Sequence, residues 1–142
     1  MVTVQLCKIT DVKTPSYAHE GDAGLDLFAA EECVLKPLER KLVSTGIKIA
    51  VPKGYEAQIR PRSGLALNHG VSIVNTPGTI DAGYRGVIGI IAINLGQQDF
   101  KVEKNMKIAQ MIINKVEQVA IEEVQELDST SRGAGGFGST GL

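Results

Sequence analysis

Five stretches of this chain gather side chains suited to chemistry on a charged ligand. In "HEGDAGLDLFAAEE", Asp22 and Asp26 flank Gly24. Acidic pairs beside a glycine often serve a divalent cation, directly or through its waters. Taken alone, the stretch also reads as a solvated loop leading into a strand. "IRPRSGLAL" sets Arg60 and Arg62 beside Ser63 and Gly64 where a short helix should start, with Ser63 as its cap. Free N–H groups, a hydroxyl and a guanidinium suit a phosphate, and an ordinary cap with surface arginines has the same composition. "VNTPGTIDAGYRG" (Val74–Gly86) contains Asn75, Asp81 and Tyr84. A lone Asp in such a turn usually bonds its own backbone. Aromatic content is only 4%, however, and an aromatic placed in a turn rather than a core suggests a ligand face. "KIAQMII" holds Gln110 inside an apolar strand, where a buried amide needs a partner. Finally, "RGAGGFGSTG" (Arg132–Gly141) places a cation, an aromatic ring and two hydroxyls on a glycine-rich end of the kind that normally frays.

The elements that must position these groups read as strands. Glycine and proline recur roughly every eight to twelve residues, the rhythm of an all-β sandwich or barrel. Val2–Ile9, Lys41–Val51, Tyr55–Arg60 and Val71–Val74 are rich in β-branched residues, which suit a pleated surface. "VPKGY" reads as a tight turn built on Pro52 and Gly54. The one helical candidate is "SGLALNHG", ended by Gly70. "GVIGIIAINLG" (Gly86–Gly96) is apolar on both faces and predicts a strand covered on both sides, with a second subunit as one plausible cover. Composition changes at residue 128, which divides the chain into a barrel over 1–127 and an arm over 128–142 that orders only when it finds something to bind.

With 142 residues, 43% hydrophobic and 22% charged, the chain is one globular domain with a real core. A net charge of −1 argues against a duplex nucleic-acid partner, which would call for a basic excess, yet leaves room for a small anion. The start, "MVTVQLCKIT", lacks a signal peptide's features, and no apolar run is long enough for a membrane span. Cys7 and Cys33 lack metal-ligand spacing and read as buried, reduced thiols, in keeping with a cytoplasmic location. His19 and His69 read as ordinary surface or loop residues.

Taken together and in this order, "DAGLDLFA", "PRSG", "NTPGTIDAGYRG", "KIAQ" and "RGAGGFGSTG" resemble the five motifs of the homotrimeric dUTP pyrophosphatases, or dUTPases. The resemblance runs from Asp22 to Gly141. It implies an all-β, jelly-roll-like barrel with one short helix and a flexible C-terminal arm, assembled as a trimer with shared active sites. It also implies hydrolysis of dUTP to dUMP and pyrophosphate by water attack on the α-phosphorus.

By that resemblance Asp81 is the general base, and Asp26 supports it and, through water, a Mg²⁺ held mainly by the substrate phosphates. Arg62, Ser63 and Gly64 become phosphate ligands, with Gln110 nearby. Asn75, Gly78 and Ile80 belong to the hairpin that reads uracil, and Tyr84 stacks on the deoxyribose and leaves no room for a 2′-hydroxyl. The arm becomes a lid: Phe137 covers uracil, while Arg132, Gly138, Ser139 and Thr140 meet the phosphates. Two positions depart from the family pattern. Lys107 stands where an arginine is usual before "IAQ", so a planar bidentate fork is missing. Gly83 stands where a second acidic residue is common. Rival readings are a dCTP deaminase-like enzyme of the same superfamily, and a nucleotide-responsive binding module without catalysis. Asp81, Tyr84 and the intact arm favour dUTP hydrolysis over both.

Overall fold

The computed structural model describes all 142 residues, Met1–Leu142. Short β-branched runs form β1 (Gln5–Lys8), β2 (Leu25–Phe28), β3 (Cys33–Leu35), β4 (Arg40–Ser44), β5 (Ile47–Ala50) and β6 (Tyr55–Arg60). After helix α1 (Ser63–His69) come β7 (Val71–Ile73), β8 (Gly78–Ile80), β9 (Gly89–Asn94), β10 (Phe100–Val102) and β11 (Lys107–Lys115). The long run expected over Lys41–Val51 is two strands, β4 and β5, because Gly46 adopts a left-handed φ of +67° between them. The turn at "VPKGY" forms as its residues predict: Gly54 has φ +87°, and Tyr55 N–H donates to the Pro52 carbonyl at 3.2 Å.

All strand pairings are antiparallel. The largest sheet has the order β2-β11-β6-β8, a second has β4-β9-β7, and β1-β5 and β10-β3 form two-stranded ribbons. Leu27, Leu35, Val43, Ile47, Ile88, Ile90 and Val102 are fully buried in the core between them. This all-β, jelly-roll-like barrel with a single short helix is the expected architecture. Chain connectivity places the site. β11 lies between β2 and β6, so Gln110 sits opposite both Asp26 and Arg60 in one row across the sheet.

The doubly apolar strand is covered on one face only within this chain. Along β9, Ile90, Ala92 and Asn94 point inward, while Gly89, Ile91 and Ile93 are only half-buried. On the same outer surface Leu42 of β4 is 68% exposed. Asn94 is fully buried, and its amide is satisfied: Nδ2 donates to the Leu35 and Gln98 carbonyls at 2.8 and 2.7 Å, and Oδ1 accepts from Gly96 N–H. Gln98 and Gly96 are near neighbours in the chain, but Leu35 on β3 lies 59 positions away and could not be read locally.

Helix α1 ends as predicted, with Gly70 at φ +70° closing on the Ala66 and Leu65 carbonyls. Its start differs. Ser63 is the first helical residue, and Arg62 occupies the cap position without a side-chain hydrogen bond. The hydroxyl of Ser63 is therefore not spent on the helix. Cys7 is exposed on β1, contrary to the buried thiol expected, because β1 is exposed along its whole length. Cys33 is half-buried, and that burial pushes its thiol pKa up from 9.0, opposed by the Lys41 cation and aided to a smaller extent by Glu31 and Glu39.

Candidate active site

The residues singled out by chemistry fall into three places. The first is a cavity of about 430 Å³ lined by Asp26, Arg62, Ser63, Gly64 and Gln110, together with His19, Asp22, Gly24 and Lys107. Asp26 anchors it. Only 8% exposed on β2, its carboxylate receives Lys107 Nζ at 2.7 Å and Arg62 Nε at 3.5 Å. A buried carboxylate needs such partners, and the two cations are held in place by it in turn. Gln110 finds the partner its position demanded: Nε2 donates to the Pro61 carbonyl at 2.9 Å. Its Oε1 lies so close to Gly24 that a Cβ there would stand 2.5 Å away, which explains the glycine in "DAGLD" by space alone.

Two residues of this cavity escaped sequence reasoning. His19 is exposed, as expected, but it lines the cavity, and its N–H donates to Asp22 Oδ2 at 2.8 Å. The three-residue spacing from His19 to Asp22 is the only signal that could have marked this turn. Lys107, read as a departure from a pattern, is the shortest ion-pair partner of Asp26. Arg62 and Lys107 are opposed by Asp22 and Asp26, so the cavity is close to electrically balanced before any ligand enters.

The second place is the hairpin after β8. Ile80, Asp81 and Tyr84 line a cavity of about 310 Å³ with Leu42, Val87 and Ile91. Asp81 is exposed and takes part in no ion pair. Tyr84 N–H donates to the Asp81 carbonyl at 3.0 Å, and its phenol donates to the Val87 carbonyl at 3.0 Å. Asn75 is exposed at the entry to the hairpin, and a Cβ on the buried Gly78 would lie 3.6 Å from its Nδ2.

The third place is the tail. Every residue from Lys115 onward is exposed, and β11 is the last element. Arg132 Nε bonds only the nearby Gly135 carbonyl at 3.0 Å, and Phe137 is fully exposed. Arg132, Phe137, Gly138, Ser139 and Thr140 line neither cavity.

The first two places stand apart for a reason of register. In the β6–β8 pair Ile59 faces Gly78 and Ala57 faces Ile80, so Asp81 lies beside the start of β6. Arg62 follows its end. At 3.3 Å per residue the two are about 20 Å apart in one chain.

An antiparallel barrel whose chemistry is divided among a polar cavity, a detached carboxylate hairpin and an exposed glycine-rich tail defines the class of molecule. This chain belongs to the dUTPase family, whose model matches residues 10–141. It is similar to the deoxyuridine 5′-triphosphate nucleotidohydrolase of Clostridium novyi, with 66% identity over 128 residues and 90% of each chain covered. That of Clostridium acetobutylicum is 59% identical over 143 residues, covering 100% of this chain and 99% of the relative. Among solved structures, the dUTPase of Staphylococcus bacteriophage 80alpha bound to dUpNHpp superposes with a TM-score of 0.92 at 29% identity, covering 99% of each chain. A dUTPase from phage phi11 of S. aureus, whose structure describes coordination of a structural Mg(II) ion, gives a TM-score of 0.82 at 26% identity, covering 87% of this chain and 97% of the other.

Proposed function

We infer that this chain hydrolyses dUTP to dUMP and pyrophosphate, and that copies of it share each active site. The observation that carries the sharing is the register of β6 and β8, which puts Asp81 beside the start of β6 and Arg62 beyond its end, about 20 Å apart at the rise of an extended strand. One α-phosphorus cannot lie within hydrogen-bond reach of both groups in one chain. A homotrimer removes the conflict by placing the hairpin of one copy against the phosphate cavity of another and the tail over both. The half-open apolar surface around Leu42, Ile91 and Ile93 supports such an interface.

Within that reading Asp81 takes the proton of the attacking water. An exposed carboxylate with no cationic partner remains free to accept it. Arg62, Ser63, Gly64 and Gln110 hold the phosphates. The Ser63 hydroxyl is available because it does not cap α1. Tyr84 bounds the deoxyribose and Ile80 the nucleoside, while Asn75 and the Gly78 backbone face the uracil edge. The segment 128–142 closes over the substrate, with Phe137 on uracil and Arg132, Gly138, Ser139 and Thr140 on the phosphates, which excludes bulk water.

The residues present suit Mg²⁺ in one manner only. No three acidic, histidine or cysteine side chains cluster to cage an ion. Asp26 already accepts from Lys107 and Arg62, so it would hold the ion through water while the substrate phosphates supply direct oxygen ligands. Bound Mg²⁺ would neutralise triphosphate charge. No helix is long and apolar enough to cross a membrane, and we place the activity in the cytoplasm.

The test is pyrophosphate release with Mg²⁺ from dUTP, dCTP, dTTP and UTP. Fast release from dUTP alone is expected. Release from dCTP, or from none of them, sinks the assignment.

A further inference from the structure

Two glycines flank the Tyr84–Arg85 pair, and their surroundings differ. A Cβ added to Gly83 would meet nothing within 4 Å. One added to Gly86 would stand 2.3 Å from the Tyr84 Oη, 2.5 Å from its Cζ and 3.0 Å from its Cε2. Carbon atoms in good contact are separated by about 3.5–4.0 Å, so the phenol lies where any side chain on residue 86 would have to be. Gly86 has no positive φ, so its backbone does not demand glycine; the ring does.

Tyr84 is held at its backbone and at the far end of its ring. Tyr84 N–H donates to the Asp81 carbonyl, and the phenol donates to the Val87 carbonyl, each at 3.0 Å. Arg85 stiffens the same turn, its guanidinium donating to the Ala82 and Tyr84 carbonyls at 2.7 and 2.8 Å. Tyr84 nevertheless stays 43% exposed and lines the cavity that contains Asp81.

We propose that Gly86 is a specificity-determining positioning residue. By leaving its own backbone as the bed for the Tyr84 phenol, it fixes the wall that excludes a 2′-hydroxyl, so preference for deoxyribose over ribose depends on Gly86 as well as on Tyr84. This rests on the reading of Tyr84 as the boundary of the sugar. A wall that rejects an added hydroxyl by bulk discriminates only as well as it stays still, because a ring that swings aside opens the needed space.

The experiment compares kcat/KM for dUTP and UTP in the wild type, Gly86→Ala, Gly83→Ala and Tyr84→Phe, with thermal melts to confirm folding. The dUTP-to-UTP ratio should fall about tenfold or more in Gly86→Ala, the scale on which apolar pockets discriminate. It should fall about fivefold in Tyr84→Phe, which loses the Val87 anchor, and stay within about twofold in Gly83→Ala. A folded Gly86→Ala that slows both substrates equally, or neither, with the wild-type ratio intact overturns the proposal. If Gly86→Ala does not fold, an unchanged ratio in Tyr84→Phe overturns it. A wild type that turns over dUTP and UTP alike defeats the sugar-boundary reading and this inference with it. A discriminating wild type with an unaltered Gly86→Ala defeats this inference alone.

Discussion

Asp26 and Asp81 are both carboxylates at strand-and-turn positions of one barrel, yet their surroundings could hardly differ more. Asp26 is 8% exposed and bonded to two cations, whereas Asp81 is exposed on a turn and paired with none. A clamped carboxylate organises charge, its oxygens already engaged by Lys107 and Arg62. A free one on a turn can pick up a proton once substrate and water arrive. The contrast supports the proposed division of roles, electrostatic support for the first and proton transfer for the second.

The largest effect expected is at Asp81. Asp81→Asn should lower kcat by about 10²–10⁴-fold while leaving affinity for a non-hydrolysable dUTP analogue within a few-fold, as steady-state kinetics and calorimetry would show. Normal turnover would erase the distinction between the two carboxylates. Next comes the tail. A chain ended at Ser131 should melt like the full protein, since residues beyond it are exposed, yet lose on the order of 10²-fold in turnover. Wild-type activity in that truncation would remove the lid from the mechanism.

Asp26→Asn should act differently from Asp81→Asn. Removing the acceptor of Lys107 and Arg62 should cost about 1–2 kcal/mol in urea unfolding, discounted because both cations are more than a third exposed at the side chain. The same measurement on Asp81→Asn should show no loss. Gly24→Ala should raise KM for dUTP about tenfold by displacing Gln110, with a smaller change in kcat. The smallest effect concerns the thiols. At pH 8 a thiol reagent should label exposed Cys7 quickly and Cys33 slowly, since burial keeps the Cys33 thiol protonated above its ordinary 9.0 and only the thiolate reacts. Cys7→Ala should abolish the fast phase.

Much of this molecule was written locally. The Pro52–Gly54 turn, the helix stopped by Gly70 and strand β6 over Tyr55–Arg60 form where short-range chemistry predicts, because each depends on a few adjacent residues. Gln110 declared its need for a partner by being polar in an apolar strand, and Tyr84 its exposure by sitting in a turn. Strands β3 and β10, of three residues each, are too short to show a period of two. Asn94 sits in an apolar strand, and one of the two carbonyls that bond its amide, that of Leu35, comes from 59 positions away.

What the sequence by itself determined was the inventory: which groups could bind phosphate, accept a proton or stack on a ring, and that short strands would carry them. What only the tertiary structure decided was company and distance. Lys107 meets Asp26 across a gap of eighty-one positions because β11 inserts beside β2, and Asp81 and Arg62 fall at opposite ends of β6 because β8 runs antiparallel to it. Side-chain type is a local property, but strand pairing is settled by the burial of one common core, which no single stretch of the chain contains.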